Sequence, residues 1–230
     1  MLTPDWLNNC PDEVVKLYLE IEDDILRDLA RLMNVNQFGV LLDMGLVHDD
    51  ILRKLSSITG RRKAEIRRLM NEAGIVSTAN ELSVYEAAGV VVSDNVFLSA
   101  IMNSGINDLN AELDNLTRTT ARTATQQFER ATSAAYLQVR TGAFSVDQAV
   151  RNAIRNMSGL DAIEYPSGRV DTLDVAVRRA VLTSVNQSAL RADDALADEL
   201  GWDLTQVTAH VGARTTPFVE PANHESWQGK

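Results

Sequence analysis

The chain has 230 residues, 45% hydrophobic and 23% charged, with a formal net charge of −10 from 22 basic and 32 acidic side chains. That composition is ordinary for folded domains and excludes a disordered tail or a collagen-like repeat, while the negative balance argues against nucleic-acid binding over the whole surface. Cys10 has no second cysteine to pair with, no run of about 18 apolar residues is present to span a bilayer, and Met1 to Pro11 lacks the basic and apolar regions of a secretory leader. A soluble protein of a reducing compartment is the expectation.

Charge is unevenly spread. Residues 1–50 hold 11 acidic and 3 basic side chains, and the block from Gly60 to Arg68 that follows is locally basic. Two poles of opposite sign favour heterologous docking; the plainer alternative is a pair of solvated helix faces.

No proline interrupts the chain between Pro11 and Pro166, and apolar residues there recur at helical spacing. The spacing predicts a first helix from Pro11 or Asp12, with Val14, Leu17, Tyr18, Ile21, Ile25, Leu29 and Leu32 along one face. Its polar face is acidic, which does not suit an anionic membrane surface. Shorter helices are expected over about 35–43, 48–58, 61–73 and 78–92, with Gly45, Gly60 and Gly74 as stops. A turn at Thr59-Gly60 followed by Arg61, Arg62, Arg67 and Arg68 has the outline of a helix-turn-helix, but the acidic neighbourhood opposes DNA binding there.

From Asp94 to Arg140 the pattern continues for 47 residues, roughly 70 Å of helix at 1.5 Å per residue. Its stripe runs Ile106, Leu109, Leu113, Leu116, Thr120, Ala124, Ala131, Ala135, a heptad-like seam whose second half is small. Small seam residues admit a closely packed helix, either from a partner chain or from a returning helix near 172–200. Leu113, Leu116, Thr120, Ala124, Ala131 and Ala135 are the candidate seam interface.

Thr141-Gly142-Ala143 should break this helix, and Ser145 with Gln148 forms a capping box for a short helix ending near Ser158-Gly159. Residues 161–170 read as two extended arms about Pro166-Ser167-Gly168. Asp171-Thr172 caps a further helix ending at Gly201, and 204–211 read as a strand. The fold class is mainly α with a small α+β C-terminal module. Three regions are expected: a helical N-terminal array over 1–93, an extended long helix over 94–141, and the α+β module over 142–230.

No phosphate loop, dinucleotide fingerprint, nucleophile elbow or paired-cysteine metal motif occurs. His48, beside Asp49 and Asp50, suits a helix start. His210 and His224 bracket Gly212-Ala213-Arg214 and precede Glu225 and Trp227. Two imidazoles and a carboxylate could hold zinc and an arginine a phosphate, but the spacing fits no standard ligand pattern, and hydrogen bonds that lock a loop fit it better.

The ordered run Tyr165 to Val170, Ala176 to Gln187, Thr208 to Arg214 and His224 to Lys230 resembles the phage minor capsid protein family, related to MuF-type head morphogenesis proteins. The resemblance is dense over residues 142–230 and weaker but collinear over 51–68. It implies a structural protein of a tailed phage or prophage, located in the virion at the capsid interior or portal vertex and assembled in the bacterial host cytoplasm. Its implied partners are the portal protein, the major capsid protein, or both, in multiple copies around the portal, with no membrane and no sequence-specific nucleic acid. No catalytic residue, metal or cofactor is implied. Tyr165, Arg178, Asn186, His210, Arg214, His224, Trp227 and Gln228 are family-motif positions without an assigned role. Two departures stand out: Thr215 to Asn223 form a longer spacer than in many relatives, and relatives continue past the position of Lys230, so a truncated, processed or split C-terminal fold is expected. The alternative reading is an enzyme or toxin-delivery module with its site around His210, Arg214 and His224.

Overall fold

The computed structural model describes residues 2–35, 44–87, 89, 96–157, 159–164 and 167–201. Among these are seven helices and one two-stranded sheet: α1 Pro4–Asn9, α2 Asp12–Val35, α3 Met44–Ser57, α4 Thr59–Ala87, α5 Val96–Arg140, α6 Val146–Asn156, β1 Asp161–Glu164, β2 Val170–Thr172 and α7 Leu173–Glu199. The mainly α fold with a small sheet is what the periodicity predicts. The chain divides into two compact units, Met1–Asp193 and Asp194–Lys230. Of the second, the described part is the last turns of α7 and the bend that closes them at Gly201, whose φ is +65°.

The first unit is built on α5, which packs against α3, α4, α6 and β1. Its inward face carries Leu109, Leu113, Leu116, Ala121, Ala124, Phe128 and Ala135, all buried in one core with Tyr18, Ile25, Ile51, Leu55, Ile66, Met70 and Val181. The predicted seam is this face. Leu113, Thr120 and Ala124 are fully buried, Leu116 and Ala135 nearly so, and Ala131 is half-buried. Within the first unit α3, α4, α6 and β1 supply the main packing against α5, in place of the returning helix near 172–200 that the sequence suggests.

Several glycines do a different job from the one the sequence suggests. Gly60 and Gly74 lie inside α4, and Gly45 lies in the first turn of α3. The helices expected over 61–73 and 78–92 are therefore one. A Cβ at Gly74 would sit 3.0 Å from Met102 Cγ and Sδ, and one at Gly105 would sit 3.1 Å from Ser188 Cβ. These glycines permit close helix crossings; neither has a positive φ that would end a helix. The helix expected over 35–43 and the strand over 204–211 lie outside the described residues.

Two local features escape the periodicity. Helix α1 is too short to show a period, yet Thr3 caps it, with Oγ1 accepting from Trp6 N at 3.3 Å and Pro4 opening its first turn. Asp171, just before α7, is buried and ion-paired to Arg179 at 2.7 Å and Arg169 at 3.2 Å, and Thr172 Oγ1 donates to Asp174 Oδ1 at 2.6 Å. Strands β1 and β2 form the expected antiparallel hairpin. It is pinned to α5, where Gln127 Nε2 donates to Gly159 O at 3.0 Å, Gln127 Oε1 accepts from Asp161 N at 3.3 Å, and Thr123 Oγ1 donates to Asp161 O.

Candidate functional site

Arg62 is buried at the junction of α2, α4 and α5, donating to Tyr18 Oη at 3.1 Å and to Asp114 Oδ1 at 2.5 Å. Burial alone lowers an arginine pKa, but Tyr18 and Asp114 together outweigh it and hold the guanidinium above its ordinary value. Arg61 pairs with Glu20 at 3.3 Å, and Arg68 with Glu65 and Glu72. Much of the locally basic block at 60–68 is thus spent on internal pairs, and Glu20 of the acidic pole is one of its partners. Lys63 and Arg67 of that block are exposed.

Other polar groups are equally structural. Glu22 is buried and accepts from Leu160 N at 2.6 Å; burial pushes its carboxyl up, partly offset by that amide. His48 Nδ1 lies 3.4 Å from Thr125 Oγ1. Burial raises the Cys10 thiol to about 11, so it stays protonated at neutral pH. Among the described residues no three His, Cys, Asp or Glu side chains gather to hold a metal ion, and no helix is long and apolar enough to cross a membrane.

Arg178 and Asn186 are the family-motif positions inside the described residues; Tyr165, His210, Arg214, His224, Trp227 and Gln228 lie outside them. Both are on α7. Arg178 donates to Asp12 Oδ1 at 2.8 Å and to Asn8 O at 2.5 Å, tying α7 to the start of α2, and Asn186 is exposed two turns further on. Beside Arg178 an open groove of about 500 Å³ lies between α2 and α7, lined by Val15, Asp174, Val175, Arg179, Leu182 and Thr183.

A second surface lies where α5 turns into α6. Gly142 at φ +72° receives the end of α5, its amide donating to Val139 O at 3.0 Å, while Thr141 N and Oγ1 both bond Leu137 O. Ser145 then caps α6, its Oγ accepting from Gln148 N at 3.3 Å, although the Gln148 side chain turns to Asn152 instead of closing the reciprocal half of the box. On this doubly capped tip Tyr136, Leu137 and Phe144 are 43%, 58% and 45% exposed. Three large apolar side chains in nine residues of rigid backbone, with Arg140 among them, have the make-up of a protein-binding surface. Periodicity alone could not find it, because the α5 stripe points inward and the tip residues fall off it.

A family model described as phage minor capsid protein 2 matches residues 2–230 of the chain. No curated protein and no solved structure matches it.

Proposed function

The chain belongs to the phage minor capsid protein 2 family, and from that premise we propose that it joins the virion by docking the α5–α6 tip onto the portal protein or the inner face of the major capsid protein. A structural part in the phage particle comes with the family; the choice of partner and the surface used are our reading. The observation that carries it is the exposure of Tyr136, Leu137 and Phe144 on a backbone fixed by caps on both sides. An apolar patch held rigid loses little conformational entropy when covered, which favours a lasting contact over a transient one. The α2–α7 groove, with Arg178 at its edge, offers a second place for a neighbouring subunit, as several copies set around a portal require.

The test is co-expression with the portal protein and, separately, with the major capsid protein. Wild-type chain should co-purify with one of them, and Leu137→Glu with Phe144→Glu should reduce recovery by roughly tenfold or more, the scale of losing one or two interface anchors. Undiminished recovery of a folded double variant would show that the tip is not the contact.

A further inference from the structure

We propose that the outward face of α5, from Asn115 to Arg130, binds the phosphate backbone of duplex nucleic acid without regard to sequence. Residues 115–130 carry three arginines and one carboxylate, a balance of +2 in a chain of net charge −10. The arginines of α2, α3 and α7, namely Arg27, Arg31, Arg53, Arg178, Arg179 and Arg191, each have a carboxylate at 3.8 Å or less. Those on α5 do not. Arg118 donates to Asn115 Oδ1, Arg130 feels Asp161 electrostatically, and Arg122 and Arg140 have no carboxylate partner among the described residues. A chain that neutralises so many of its cations internally leaves these for an external anion.

The make-up of the face points to a polyanion with hydrogen-bond acceptors. Opposite the buried stripe, Asn115, Arg118, Thr119, Arg122, Gln126, Glu129 and Arg130 are all exposed, and no large apolar residue interrupts them. A protein contact needs an apolar centre, which this stretch lacks; phosphates take guanidinium, hydroxyl and amide donors, which it supplies. From Asn115 to Arg130 the face is about 22 Å long, about two thirds of one turn of a duplex. Glu129 is its one acidic member. The overall negative charge does not forbid this, because at physiological ionic strength charges more than about 8 Å away are largely screened. The polyanion that a capsid encloses is its genome.

The test uses the full chain and a 30-base-pair duplex of arbitrary sequence, read by fluorescence anisotropy. Three phosphate contacts give a slope of log K against log salt of about −3, so affinity should fall roughly 50-fold between 50 and 200 mM salt. Arg118→Gln with Arg122→Gln should lower affinity about tenfold and flatten the slope by about 2, with helix content unchanged by circular dichroism. Glu129→Gln should strengthen binding about twofold, and this variant has no buried contact to lose. Lys63→Gln with Arg67→Gln, an equal charge change on α4, should leave binding nearly unaltered. Absence of binding at 50 mM salt, equal loss in the α4 control, or displacement of the duplex by polyglutamate at matched charge would each overturn the proposal, the last by making an acidic protein the occupant.

Discussion

Arg62 brings a full charge into the junction of three helices and finds two partners there, but its Nε is buried without one. Removing the side chain strands Tyr18 Oη and Asp114 Oδ1. Arg62→Ala should destabilise the chain by about 3 kcal/mol, the lower end of the range for breaking a buried pair, because Asp114 is 40% exposed and regains water. A urea unfolding midpoint at unchanged slope checks this. Glu22 works in the opposite sense. A carboxyl whose pKa is higher folded than unfolded binds its proton more tightly in the native state, so its ionisation subtracts stability as pH rises through the folded value. Glu22→Gln keeps an oxygen for the Leu160 amide and removes the charge. Its melting temperature should exceed that of wild type at neutral pH, with the gap closing as pH falls toward about 4. A gap that does not vary with pH, or a less stable variant at neutral pH, would contradict the assignment. Neither residue could be read from sequence as buried: Arg62 sits in a run of basic residues and Glu22 among acidic ones, where solvated faces are the ordinary expectation.

At the scale of elements, the stripe from Ile106 to Ala135 was legible because a 45-residue helix repeats its pattern many times over. What covers that stripe was not, since a seam of small residues suits any close helix, from the same chain or another. With α3, α4, α6 and β1 against α5 and no space at Ala124, Ala124→Leu should overpack the isolated chain and cost about 1 to 3 kcal/mol. Unaltered stability of the isolated variant, with association lost, would assign the seam to an intermolecular contact instead. The glycines show the same limit. Gly142, Gly168 and Gly201 have positive φ at turns the sequence marks, whereas Gly74 and Gly105 are needed by neighbours distant in sequence, Met102 and Ser188, and the local context of Gly74 reads like a stop. The capped tip was half legible: Ser145 and Gly142 announce a turn, but only the packing of α6 on α5 shows which side chains stay outside it.

For the whole molecule, ion pairs among the described residues take up many of the cations of the other helices, while α5 carries an apolar tip at Tyr136, Leu137 and Phe144 and an arginine face. A chain that turns its longest helix into both the spine of its own core and the carrier of two outward surfaces is suited to bridging other components of a particle. The composition conveyed only the sum of the charges; which cations are paired depends on how the helices pack. The family, by contrast, was readable from ordered motifs in the last third of the chain, and the match over residues 2–230 extends it to nearly the full length. The most direct check on this account is the native mass of particles purified after co-expression of the chain with portal protein and major capsid protein. The account predicts a defined complex containing a fixed number of copies of the chain, lost when Leu137 and Phe144 are both changed to glutamate. A chain that stays a free monomer beside both partners, or a complex that tolerates those two changes, would contradict it.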